Sequence, residues 1–581
     1  MKNIVCLIGI LICILVPGIG IGQGWQWAKT STNWSTTEGV DVMGPTVIDE
    51  NKDVFVAMTN LTDSIGFSGH TVYNTGLYAQ TVIVKYDSAG NFIWAIATQN
   101  NNAWVLQLAI DNNNDLLVYG YKAGSITLGG YAISSSDQGF LTKISTAGSV
   151  IWNEDIDLSS STGFLYGGLA TDATGNSYIT GTFETPTITF GSTSLTNSDP
   201  TGNSNDIFVV KYNAAGTPVW AKSIDGPEND ESYCVAAGSN HDIFLSGRAQ
   251  SDTLTFTGIK LYGGSPDSEN NFKNRMTYIA RYDSSGNVLW AKNLDQHLFT
   301  NGLATDEYGS VYFTGGYDSN IVVGINSYTL GYIAPAGFVN YGIIITKMDS
   351  SGNIVWSRTG GTNGYGQGWT LSVDHCGFLW ACGSVNVSDT VNFDGHSFVT
   401  GDQSSNPDPL FIIEYDLVGD YQNGMVLPTG GDDICGIVTD DKGNFFIGGD
   451  YLTGTPTIGF GPDTIYNSPG TETENFYLLK YKYETTLCAA ELAVGENVGT
   501  DHIILLYPNP ASTSFQLRSD IDFKSGSYVI IYDIAGRALE TIALSGNEAT
   551  VVVCNFPAGV YQCVVHVPGE AIEVKPFIVQ P

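Results

Sequence analysis

Over most of the chain, hydrophobic and polar positions alternate in short runs, and the runs are cut by turns rich in Asp, Asn and Gly. Alternation with period two is the mark of a β-strand with one buried face. Around KYDSAGNFIW (85–94), the alternating residues Val82, Val84 and Tyr86 form one strand and Trp94 sits on the returning one. Asp-x-x-Gly-Asn makes the turn, because Gly can take positive φ and Asp can bond the following backbone. The same phrase returns as KISTAGSVIW (143–152), KYNAAGTPVW (211–220), RYDSSGNVLW (281–290) and KMDSSGNIVW (347–356). EYDLVGDYQN (414–423) is a sixth, degraded copy without the Trp. Trp94, Trp152, Trp220, Trp290 and Trp356 stand 58 to 70 residues apart.

A second phrase precedes each of these. Its clearest copies are DATGNSYITG (172–181), DEYGSVYFTG (306–315), DHCGFLWACG (374–383) and DDKGNFFIGG (440–449). DENKDVFVAM (49–58), DNNNDLLVYG (111–120) and GSNHDIFLSG (238–247) are looser. This too predicts strand, tight turn, strand. Glycine-containing segments such as TITFGSTSL (187–195), LTFTGIKL (254–261) and VNFDGHSFV (391–399) follow as excursions between the second and third strands. Each repeat thus supplies four strands, and radial repetition of four-stranded sheets is the logic of a β-propeller. The last repeat stops at FYLLKYKYE (476–484) without a returning strand, while WQWAK (25–29) matches the missing piece, as in VWAK (219–222) and LWAK (289–292). An N-terminal strand completing the last sheet would close a ring of seven blades and remove two exposed edges. An open solenoid, which needs polar caps instead, is the alternative.

These phrases resemble the bacterial β-propeller repeat family (SBBP-like) whose units carry D-x-x-G-N-x-Y-x-T-G and K-Y-D-x-x-G-N-x-x-W strands. The resemblance covers about residues 25–484 and implies an all-β fold, a seven-bladed β-propeller closed by an N-terminal strand. It implies no particular activity, since propellers host unrelated functions.

The ends differ in character. Lys2 is followed by an apolar run from Ile4 to Val16, too short for the roughly 20 residues a membrane helix needs. Residues 1–22 therefore read as a signal peptide, 23–485 as the propeller and 486–502 as a small, polar linker. Residues 503–581 are again β-rich, with strands in IILLYPNPASTSFQL (503–517), SYVIIYDIAGRALET (527–541) and NFPAGVYQCVVHV (555–567). Tyr507, Pro508, Asn509 and Pro510, then Tyr532-Asp533 with Gly536 and Arg537, then Pro557 to Tyr561 including Gly559, resemble in order the motifs of the type A C-terminal sorting domain of type IX secretion. The resemblance implies a small immunoglobulin-like β-sandwich handled by that machinery, and delivery into the medium or onto the outer surface of a Gram-negative bacterium. The family's basic ending is reduced here to Lys575.

Composition narrows the function. The chain has 581 residues, of which 14% are charged, against roughly 25% in ordinary domains. Acids outnumber bases 58 to 23, for a net charge of -35. Nucleic-acid binding, which needs a basic footprint, is argued against. The seven His residues, His70, His241, His297, His375, His396, His502 and His566, include no pair at metal-ligand spacing, and neither H-E-x-x-H nor G-x-S-x-G occurs. No cofactor is expected, although the Asp-rich turns 49–53 and 111–115 could bind calcium weakly. Cys554 and Cys563 flank the Pro-Ala-Gly turn and could pair across a hairpin. No C-x-x-C occurs. The expected function is a binding or adhesion module for a glycan or protein, with Tyr262, Tyr328 and Tyr332 as possible stacking surfaces. The alternative is an exported polysaccharide hydrolase or lyase using paired carboxylates.

Overall fold

The computed structural model describes residues 24–483 and 504–579 apart from internal segments, the longest being 34–41, 159–166, 265–274, 329–340, 400–408 and 466–473. Every regular element among the described residues is a β-strand. The chain divides into two compact parts, the first of Met1–Glu414 and Tyr421–Glu484 and the second of Thr485–Pro581 with Tyr415–Asp420.

Among the described residues of the first part, seven sets of four strands pair antiparallel, six of them in sequence order with a hairpin inserted between the second and third strands. The first repeat has Val42–Ile48, Val54–Asn60, Gln80–Tyr86 and Phe92–Gln99. The seventh takes three strands from the end of the region, Ile434–Thr439, Asn444–Leu452 and Glu474–Lys482. Its fourth strand is Gly24–Asn33 from the start, with Trp27 opposite Lys480 and Ala28 opposite Leu479. The first strands of successive repeats pack one against the next, and Ile434–Thr439 packs on Val42–Ile48, which makes the series circular.

The hydrophobic cores lie between sheets. One joins Phe55 and Ile83 of the first repeat to Val118 and Phe140 of the second, and another joins Phe446 and Leu478 of the last to Val54 and Val84 of the first. Val54–Asn60, Gln80–Tyr86, Ser177–Phe183 and Asp206–Tyr212 are buried at every position, because a neighbouring sheet covers each face. Their polar residues are therefore interior and must find partners.

The excursions are short hairpins, and several reach back to the preceding repeat. Ser64–Phe67 pairs with Ser31 to Asn33, Ile126–Leu128 pairs with Thr98 and Gln99, and Thr390–Phe393 pairs with Gly360 and Gly361. Thr255 likewise exchanges two backbone bonds with Asp225. Each contact covers part of an outermost strand that would otherwise be an open edge.

The second part holds two antiparallel sheets. One orders Ile504–Tyr507, Ser514–Phe523 and Gly546–Val552; the other orders Ala538–Ala543, Tyr528–Asp533, Gly559–His566 and Glu573–Val579. Phe515, Leu517 and Val551 of the first sheet share one core with Val529, Ile531, Tyr561, Cys563 and Phe577 of the second. The Cys554–Cys563 pairing expected across a hairpin is not formed. The strands flanking that turn belong to different sheets, so Cys554 is an exposed thiol while Cys563 is buried in the core.

Candidate functional site

The two recurrent phrases place their polar residues at one end of the strands. The Asp that opens the D-x-x-G-N-x-Y-x-T-G phrase is buried, and its Oδ1 accepts amide protons across the turn: from Asn113 and Asp115 at Asp111, from Thr174 and Asn176 at Asp172, and from Tyr308 and Ser310 at Asp306. Burial alone would raise the Asp172 carboxyl. Bonds from Asn176, Thr174 and the Tyr178 hydroxyl outweigh it and hold the group below the usual carboxylate range.

The Lys or Arg that opens the K-Y-D-x-x-G-N-x-x-W phrase is buried beside these acids. Lys85 lies 3.3 Å from Asp49 and 2.9 Å from Asp53, Lys143 lies 2.5 Å from Asp111 and 3.2 Å from Asp115, and Lys347 lies 3.2 Å from Asp306. In the fourth repeat Gly238 replaces the first Asp, and Arg281 pairs with Asp242 instead. The carboxylates read as faint calcium loops thus hold lysine ammonium groups. Among the described residues no three His, Cys, Asp or Glu converge as metal ligands would.

Four Trp residues of the K-Y-D-x-x-G-N-x-x-W phrase, and Trp27, reach across to the next repeat. Indole N–H groups donate from Trp27 to the Ser88 carbonyl (3.3 Å), Trp94 to Thr146 (3.0 Å), Trp152 to Ala214 (3.3 Å), Trp220 to Ser284 (3.1 Å) and Trp290 to Ser350 (2.9 Å). The ring lies against the turn glycine. A Cβ on Gly90, Gly148, Gly216, Gly286 or Gly352 would fall 2.8 to 3.2 Å from it, and all five have φ of +79° to +84°. Lys480, Lys211 and Arg281 donate to the same Ser88, Ser284 and Ser350 carbonyls as the Trp facing each across the sheet.

At the opposite strand ends, a group of acids joins the third and fourth repeats. Asp206 accepts the Ser198 amide at 2.5 Å and the Ser198 hydroxyl at 2.9 Å, while Asp230 accepts the Ser251 hydroxyl at 2.8 Å. Gly226 packs between them, its amide toward Asp206 and its Cα against Asp230 and Ser251. Burial lifts Asp206 to about 6 and Asp230 to about 8, against the serine bonds; the charge of Asp225 adds to the first and that of Asp206 to the second. Sequence reading missed this group because its members lie outside both recurrent phrases.

Of the expected stacking tyrosines, Tyr262 is 69% exposed at the end of a hairpin, Tyr328 donates its hydroxyl to the Ser357 carbonyl, and Tyr332 lies outside the described residues. In the C-terminal part, Tyr507 pairs with Gln516 in a strand, and Gly559 opens the strand that carries Tyr561. The Tyr561 hydroxyl donates to the Pro557 carbonyl at 2.7 Å, and its ring stacks on Phe577. Pro508, Asn509, Pro510, Gly536 and Arg537 lie outside the described residues.

Residues 505–580 match the family described as the secretion system C-terminal sorting domain. The domain marks proteins exported by the type IX system, so this chain is secreted or displayed on the outer cell surface. The chain is 20% identical to an uncharacterized WD repeat-containing protein, L264, of Acanthamoeba polyphaga mimivirus, over 59% of this chain and 30% of that one. It is 24% identical to the regulatory protein FlaEY of Caulobacter vibrioides over 35% and 19%. It thus spans less than a third of either relative. Among solved structures, a protein of unknown function from Dyadobacter fermentans aligns over 78% of this chain and 98% of its own, at 9% identity and a TM-score of 0.33. PorZ, a surface component of the type IX secretion system of Porphyromonas gingivalis, aligns over 95% and 100%, at 10% identity and a TM-score of 0.16.

Proposed function

We propose that the chain is an exported seven-bladed β-propeller of the SBBP-like kind, acting as a binding or adhesion module. In this reading residues 1–22 are the signal peptide and the immunoglobulin-like C-terminal sandwich directs type IX secretion. One observation carries it: the recurrent polar residues are consumed in fastening each repeat to itself or the next. Lys85, Lys143 and Lys347 neutralise buried acids, and the tryptophans bind neighbouring turns. Variation between repeats falls instead on the excursions, where groups such as Tyr262 and Tyr73 face water. A scaffold whose repeated chemistry is structural and whose exposed segments differ suits recognition of a glycan or protein. The alternative, a polysaccharide hydrolase or lyase, is not favoured by the carboxyl group at Asp206 and Asp230, since both are fully buried and engaged by serines.

The secreted chain should bind members of a glycan array or extracted envelope proteins, and replacing Tyr262 and Tyr73 by Ser should weaken capture without altering the melting temperature. No capture from either panel would count against the binding role. Turnover of a polysaccharide panel would favour the alternative.

A further inference from the structure

The sixth repeat departs from the others at three positions that belong together. Where Tyr178 and Tyr312 donate to the turn Asp of their own repeats, it has Trp380. Where the others have Lys85, Lys143, Lys211, Arg281, Lys347 and Lys480, it has Glu414, and where they have Trp it has Asn423. The last two changes have a common cause. In the third, fourth and seventh repeats this Lys or Arg and this Trp face each other and converge on a carbonyl of the following turn. Among the described residues the seventh repeat has no such turn: its third strand ends at Lys482 and its fourth comes from residue 24 onward.

Tyr483 takes the vacated place. It is 2% exposed, and its hydroxyl donates to Asp374 Oδ2 at 2.5 Å. Its ring meets Trp380 at 4.6 Å and Phe445 at 6.2 Å. The residue that follows the last strand is thus tied to the turn Asp of the sixth repeat, and the buried Glu414 holds the strand position from which Lys347 meets Asp306 in the fifth.

We propose that Asp374, Glu414 and Tyr483 form a proton-operated latch on the strand Glu474–Lys482. Protonated Glu414 leaves the Tyr483–Asp374 bond intact, and its ionisation sets a second carboxylate against Asp374 and loosens the strand. Burial, then the charge of Asp374, lifts Glu414 to about 8. Tyr421, Tyr483 and Asp440 are the other titratable groups whose fields meet in this cluster. The folded value lies above the unfolded one of about 4.3. The stabilisation is therefore complete below about 4.3 and is lost as pH rises through about 8.

The test is hydrogen exchange on the full chain, read as protection factors for residues 474–482 between pH 5.5 and 8.5. The wild type should lose protection by at least about tenfold over that range. Glu414→Gln should flatten the dependence, and Glu414→Lys, which restores the cation of the other repeats, should flatten it and raise protection at pH 8.5. Val322→Thr, at a 55% exposed position of another repeat, is the control and should leave these residues unchanged. Equal pH dependence in wild type and Glu414→Gln would overturn the latch, as would flattening by Val322→Thr. Should Glu414→Gln fail to fold, Glu414→Lys and Asp374→Asn carry the same comparison.

Discussion

Trp27 donates its indole N–H to the carbonyl oxygen of Ser88, 61 residues later in the chain, at 3.3 Å. The contact has the form repeated between neighbours around the series, yet here its donor sits on the first described strand and its acceptor in the first full turn. Trp27 also packs on Phe446 of the last repeat. One side chain thus ties the start of the chain to both the first and the last repeats, and Ser64–Phe67 pairs along the far end of its strand.

Trp27 is 7% exposed, so Trp27→Ala should remove a large buried ring and destabilise the repeat region by about 3–5 kcal/mol. Trp27→Phe keeps most of the packing and loses the indole bond, a cost of about 1 kcal/mol. Urea titrations of both variants check this. An alanine variant within about 1 kcal/mol of wild type would mean that the strand contributes little to closure.

Two glycines with the same backbone separate conformation from contact. Gly216 and Gly395 have φ of +82° and +85°, but a Cβ at Gly216 would meet the Trp152 ring at 2.8 Å while one at Gly395 meets nothing within 4 Å. Gly395→Ala should cost about 1–2 kcal/mol from backbone strain. Gly216→Ala should cost clearly more, because the ring must move. Equal melting shifts would show that the ring gives way freely.

Asp230 gives a second pH-dependent contribution. Its folded value of about 8 exceeds an unfolded value of about 3.9. The stabilisation is full below about 3.9 and is lost as pH rises through about 8. Asp230→Asn should therefore melt higher than wild type at pH 8.5, with the difference shrinking toward pH 5. A difference independent of pH would contradict the assignment.

Removal of residues 503–581 should leave the chain inside the cell envelope, since the sorting-domain match lies at 505–580. Surface fractionation by immunoblot reads this directly, and undiminished export would refute a sorting role for this segment. Within that part, Tyr561→Phe loses the bond to Pro557 and should cost about 1 kcal/mol.

Much of this was legible in advance because the repeat is built from local signals. Asp-x-x-Gly turns need only neighbouring residues to form, so their positions and the strands around them followed from the phrases. WQWAK matched VWAK and LWAK closely enough to predict the pairing of Trp27 with Lys480. The Cys554–Cys563 pairing failed because a turn read as local joins two different sheets. The Asp206, Asp225 and Asp230 group was invisible because its members come from three segments that share no phrase.

The sequence by itself determined the strand count per repeat, the turns, the export signal at the C-terminal end and the donor of the closing strand. These rest on period-two alternation and on turn residues, which act over a few positions. Only the tertiary structure decided what the recurrent Trp, Lys and Asp do. Trp152 and Gly216 are 64 residues apart, and the reason each is what it is becomes visible only when one sheet packs on the next. The same holds for the sixth repeat, where Glu414 and Asn423 look like decay along the chain and, in space, belong to the repeat that precedes one whose third and fourth strands come from opposite ends of the region.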